Sequence, residues 1–222
     1  LNTESNNLIP GSTGPLSENG VEYIFDSTFL GPSYGTKRGD LSSIVMGYRQ
    51  YENELVNPHS IAIGYSAGST GNLRDNSIAI GRTAGETNQK QNSIAIGRRA
   101  GYQNQDEYSI AIGYNCGFTG QSGHSIAIGY LSAQNYQNSK SIAIGYNSCF
   151  FGQGENCIAL GAFSGYNGGQ TGNSIGVGSW AGSHDNQISS VDISNSTGPA
   201  GYQINSVSLL STTQNQSRGI AI

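Results

Sequence analysis

The side chains of this sequence with the widest chemical reach are three histidines, His59, His124 and His184, and three cysteines, Cys116, Cys149 and Cys157. Imidazole and thiolate are the ligand types of a tetrahedral zinc site. A second set is more regular. Tyr48, Tyr65, Arg82, Arg98, Tyr114, Tyr130 and Tyr146 follow one another at intervals of 16 or 17 residues. Rings and guanidinium groups so spaced can stack on one another, or they can form a surface stripe that grips glycan or protein. A third set is Gln89, Gln105, Gln121, Gln137 and Gln153, spaced by 16. Amides at a fixed interval can pair along an axis as a structural ladder, or serve as a polar recognition stripe.

An internal repeat sets all three intervals. Ser43, Ser60, Ser77, Ser93, Ser109, Ser125, Ser141, Cys157 and Ser174 open nine units, most of them reading Ser-Ile-Ala-Ile-Gly. Seven and eight residues after this anchor comes a small pair, such as Ala84-Gly85 or Ala100-Gly101. The five-residue motif alternates with period two, which is the pattern of a strand with two unlike faces. Recurrent Gly and β-branched Ile argue against helices. One strong strand per unit of this length fits one coil of a solenoid. The expected fold is therefore all-β, a parallel β-solenoid (β-roll) of about nine coils of 16–17 residues. Its expected core is the aliphatic face: Ile61, Ile63, Ile78, Ile80, Ile94, Ile96, Ile110, Ile112, Ile126, Ile128, Ile142, Ile144, Ile158, Leu160, Ile175 and Val177. The Ser-Ala-Gly face would then be flat and would suit close packing by a neighbouring chain. Tyr102, Phe118, Phe150 and Tyr166 read as partial core or interface, and Trp180, in an atypical last unit, as a terminal lid.

Such a fold disperses the reactive groups. Stacked at ~4.8 Å per coil, the histidines lie roughly 20 Å apart, too far for a shared metal. Cys116 and Cys149 lie about 10 Å apart, beyond disulfide reach, and are expected to be small buried thiols. No metal, cofactor or enzymatic activity is expected. Arg38-Gly39-Asp40 is a three-residue match of the kind that chance supplies. With 10 basic and 14 acidic residues the net charge is −4, which gives no electrostatic reason for a nucleic-acid partner. No apolar run approaches the roughly twenty residues that span a bilayer. The surface polarity comes from Asn, Gln, Ser, Thr and Tyr.

The strings "NSIAIGRRAG", "HSIAIGYSAG" and "NSIAIGRTAG" resemble the head repeats of YadA-like trimeric adhesins. "AGETNQ" and "AGYQNQ" are similar to the variant in fibre-like proteins of phages and giant viruses. The resemblance covers residues 43–186 and implies a left-handed β-roll, three chains side by side, and adhesion or display rather than catalysis. It implies an extracellular place, on a cell surface, an appendage or a virion. The partners it implies are the chain itself, as a homotrimer, and a host surface protein or glycan.

The array divides the chain into three parts. Residues 1–42 are a turn-rich cap with one or two strands, 43–186 the repeat domain, and 187–222 a C-terminal β segment of antiparallel or edge strands. The last part ends in Gly219, Ile220, Ala221 and Ile222, which match the motif up to its closing Gly. That end reads either as the start of a further array or as a strand added to the next subunit of a filament. Because residue 1 is Leu, a processed product or fragment is expected.

Overall fold

A computed structural model describes residues 59–69, 74–167, 170–183 and 191–193, and several short strands outside them. The strands are β1 (Ser27–Leu30), β2 (Ser43–Met46), β3 (Ile61–Ile63), β4 (Ile78–Ile80), β5 (Ile94–Ile96), β6 (Gln103–Gln105), β7 (Ile110–Ile112), β8 (Thr119–Gln121) and β9 (Ile126–Ile128). They continue as β10 (Asn135–Gln137), β11 (Ile142–Ile144), β12 (Ile158–Leu160), β13 (Ile175–Val177), β14 (Val191–Ile193), β15 (Gln203–Ile204), β16 (Val207–Ser208), β17 (Gln216–Ser217) and β18 (Ile220–Ala221). Among the described residues there is no helix.

The protein is an all-β parallel solenoid. One 13-stranded sheet runs β1-β2-β3-β4-β5-β7-β9-β11-β12-β13-β14-β16-β18, every pair parallel. Ile lies over Ile and Ala over Ala: Ile94 pairs with Ile110, Ala95 with Ala111, and Ile96 with Ile112. A second, three-stranded sheet, β6-β8-β10, forms on another side of the central coils. From β3 to β13 eight main-sheet strands follow one another, so about eight turns are described.

The sheet extends beyond the 43–186 array at both ends. Ser27 pairs with Ser43, and Val191 and Val207 continue the column of Ile175. Of the C-terminal strands, β14, β16 and β18 are parallel members of the main sheet with β18 at its edge, and β15 pairs in parallel with β17, so none of them is antiparallel. Ser190-Val191 and Ser206-Val207 keep the 16-residue step from Ser174-Ile175. They are worn copies of the motif. Trp180 is not a terminal lid, because β14 stacks beyond its coil.

The main correction concerns the core. In each coil from β3 to β13 the central strand residue is buried and the flanking aliphatics are only partly covered. The interior holds Ala62, Ala79, Ala95, Ala111, Ala127, Ala143 and Ala159, with the anchor serines and the glutamines. The sixteen aliphatic residues expected inside (Ile61 through Val177) point outward, and Ile144 is 37% exposed. The reason is space. A coil of 16 residues with three-residue strands encloses room for Ser, Ala, the small pair and one amide. Two isoleucines would overfill it.

Three backbone features make so tight a coil possible. The residue before each anchor is left-handed, as at Asn76, Asn92, Asn156 and Asn173 (φ 56–58°), which accounts for the frequent Asn-Ser. The anchor hydroxyl then closes the turn, as Ser109 Oγ donates to the Asp106 carbonyl at 2.5 Å. The closing Gly has φ between 125° and 139°, a region open essentially to Gly alone. At β14, Asp192 takes the place of the central Ala, opposite Gly176. Its carboxylate accepts the Gly182 N–H at 2.8 Å. In earlier coils that N–H donates to the carbonyl of the next coil, as from Gly101 to Cys116.

Candidate binding surface

Three longitudinal features stand on this frame: an amide row inside it, an aliphatic face outside, and aromatic ladders at its corners.

Gln89, Gln105, Gln121, Gln137 and Gln153 are buried, joined by Gln170. Each side chain crosses the interior from one sheet to the back of the other. Gln105 Nε2 donates to the Ile94 carbonyl at 2.8 Å, and Gln121 Nε2 to the Ile110 carbonyl at 2.7 Å. Amide-to-amide bonds of 3.0–3.2 Å run along the axis from Gln105 through Gln121, Gln137 and Gln153 to Gln170. Gln89 does not join the row, and the oxygens Oε1 of Gln89 and Gln105 lack a partner.

The aliphatic face consists of two columns on the outer side of the main sheet. Ile44 is 38% and Ile193 47% exposed, and the described strands between them keep the same pattern.

The aromatic and cationic stripe forms two stacked runs, one of Tyr65 with Arg82 and one that begins at Arg98. Arg82 lies over the Tyr65 ring at 5.8 Å and Arg98 over Tyr114 at 5.3 Å. Tyr114 stacks on Tyr130 at 5.2 Å, and Tyr130 on Tyr146 at 5.3 Å. The ladder turns at Tyr146–Phe163 and resumes with Phe163–Trp180, stacked at 4.4 Å. Tyr48 lies outside the described residues. Tyr65, Tyr130 and Tyr146 are exposed and Tyr114, Phe163 and Trp180 half-buried, and each inner ring has both faces against its neighbours, so that edges and hydroxyls meet solvent. A second ladder holds Tyr102–Phe118 at 4.8 Å and Phe150–Tyr166 at 5.4 Å, half-buried.

Glu86 continues this second ladder where an aromatic would stand. It is buried, and its Oε2 lacks a partner. Burial holds its carboxyl above the usual range, against an opposing Tyr102 hydrogen bond and the Arg99 charge. The folded state therefore binds the proton more tightly than the unfolded chain does. Its favourable contribution is full below the ordinary carboxyl value of 4.5 and is lost as pH rises through the raised folded value. Glu86→Gln is expected to raise the Tm at pH 7 and to flatten the fall in Tm above about pH 4.5. Thermal melts from pH 4 to 8 check this; equal slopes for the two proteins would contradict it.

The sequence-predicted reactive groups stay apart. Among the described residues no group of His, Cys, Asp and Glu could hold a metal. His184 lies outside them. Cys116, Cys149 and Cys157 are free and buried; burial pushes the Cys116 thiol up to about 12 and the Cys149 thiol higher still. Ile220 and Ala221 form β18, the last strand of the sheet, paired in parallel with β16. Gly219 and Ile222, like Arg38–Asp40, lie outside the described residues.

The YadA head domain repeat matches the chain in two copies over residues 57–84. Over those residues the chain is similar to the YadA head domain repeat, and the in-register parallel coils of the structure are consistent with head repeats of that kind. No match was found among curated proteins or among solved structures. Among the described residues no helix is long and apolar enough to cross a membrane.

Proposed function

We propose that this protein is a surface-displayed rod, built by self-association of the solenoid side by side as a homotrimer through its aliphatic face. The observation that carries the reading is the pair of outward Ile columns, in register from β3 to β13 and without a covering element among the described residues. A continuous apolar face of this length marks an interaction surface. A second copy with the same repeat presents the same rise per coil, so the two surfaces match along their whole length. The head-repeat resemblance supports three such chains. Association through this face supplies the apolar burial that a core of Ala, Ser and Gln lacks. Edge strand β18 supports a further, end-to-end contact between rods.

Sedimentation of the full chain tests the reading. The native protein is expected to run as a trimer. Ile112→Lys with Ile128→Lys places charges mid-face and is expected to give monomer with an unchanged β spectrum. A native monomer, or a trimer that survives both substitutions, would overturn it.

A second reading is an adhesin head that binds a host protein or glycan through the coil surface. The exposed stripe of Tyr65, Arg82, Arg98, Tyr130 and Tyr146 favours it.

A further inference from the structure

Among the described residues Tyr136 is the most exposed large side chain of apolar character, at 67%. It differs from the other exposed tyrosines. Its column, eleven residues after the anchor, reads Asn88, Asn104, Gly120, Tyr136 and Gly152. Both coil neighbours of the ring are therefore glycines. The ring leans over Gly120, where an added Cβ would lie 2.8 Å from Tyr136 Cδ1. Among the described residues no ring or guanidinium stacks on it. Its outer face is presented to solvent, as those of Tyr114 and Tyr130 are not.

The missing side chain at Gly120 also opens one end of a cleft of about 340 Å³. The cleft runs along the axis as far as Gly120, and Tyr136 stands next to that end without lining it. Asn88 and Asn104 form one wall, with Asn88 Nδ2 donating to Asn104 Oδ1 at 3.0 Å. Arg74, Lys90, Asp106 and Ser122 line the other, with Lys90 Nζ 2.5 Å from Asp106 Oδ1. The glutamines beneath send their side chains inward to the backs of the Ile strands. The cleft thus lies across the coil from the aliphatic face and stays open when copies associate there.

We infer that this cleft and Tyr136 form a saccharide-binding site, taking a chain of equatorially substituted pyranoses. Such a sugar has flat faces of axial C–H groups, one of which can lie on a single unstacked ring. Its hydroxyls both donate and accept, which matches neighbouring amides, a hydroxyl and an ammonium–carboxylate pair. An extended peptide fits less well. Strand addition needs unpaired backbone, and here the Lys90, Asp106 and Ser122 N–H groups are all bonded to the next coil. The site is independent of trimerisation, so its failure and that of the rod reading are separable.

The test uses the full chain with cellotetraose and N-acetylated chitotetraose as probes, followed by saturation-transfer NMR and titration. A heparin tetrasaccharide serves as an anionic control. Saturable binding of at least one neutral probe is expected. Tyr136→Ala should weaken it at least about tenfold, while Tyr136→Phe stays within about twofold. Gly120→Asn should also weaken it about tenfold, because asparagine tolerates the left-handed φ of 68° yet displaces the ring. Tyr108→Ala, at an exposed ring outside both the cleft and the stripe, should leave binding within about twofold. No neutral binding, binding that survives Tyr136→Ala, or binding of the anionic probe alone would overturn the assignment. Sedimentation of the same samples reports assembly separately.

Discussion

Gly113→Ala is expected to cost more than about 4 kcal/mol of stability, enough to open the central coils. Two costs combine. A side chain at φ 134° enters a region that costs roughly 1–3 kcal/mol for any residue but Gly. The added Cβ would also stand 2.1 Å from the carbonyl oxygen of Gly129 in the next coil. That oxygen belongs to backbone locked in the ladder, so the neighbouring coil must move. Gly152→Ala separates the two costs. Its φ is 125°, but a Cβ there meets nothing closer than 3.5 Å. Only the conformational cost, about 1–3 kcal/mol, should remain. Urea denaturation followed by circular dichroism measures both. Equal losses would show that the close stacking of glycines contributes nothing.

Gln121→Leu is expected to destabilise by about 2–4 kcal/mol, although leucine is apolar and of similar size. The substitution strips Gln137 Oε1 of its donor and Gln105 Nε2 of an acceptor, both at buried positions. A broken amide row is worse than none, because each surviving neighbour keeps its desolvation cost. Gln89→Leu is the contrast. Gln89 makes no bond to another glutamine, and its Oε1 is already unpartnered. The loss there should be smaller by about 1 kcal/mol or more. If both positions cost the same, the row acts as separate backbone clamps and not as a connected ladder.

Much of this architecture could be read from the residues. The period, the parallel stacking, the amide interval and the crowding at Ala84 or Ala100 all follow from spacing and size. The direction of the strand faces did not. Alternation shows that two faces differ, and hydrophobicity alone puts Ile inside. The better signal was which column tolerates change. Leu160 and Val177 replace Ile freely, whereas the central Ala column admits only Gly176 across the array from Ser60 to Ser183. A position restricted to the smallest residues is the confined one. The end strands were hidden because Asp192 and Ser208 break the motif while Ser190 and Ser206 keep its step. Tyr136 was missed because its importance rests on its neighbours. Only the placement of Gly120 and Gly152 beside it leaves a ring without a stack.

The one-coil register has a mechanical consequence. The bonds between coils, such as Gly97 N to Ile80 O at 2.8 Å, lie along the rod, so a pull on its two ends loads them one coil after another. Each rupture frees a near-constant length of chain, about 50 Å for sixteen residues. Under tension the rod would lengthen in even steps and spread a sudden load over many small breaks, in the manner of a shock absorber.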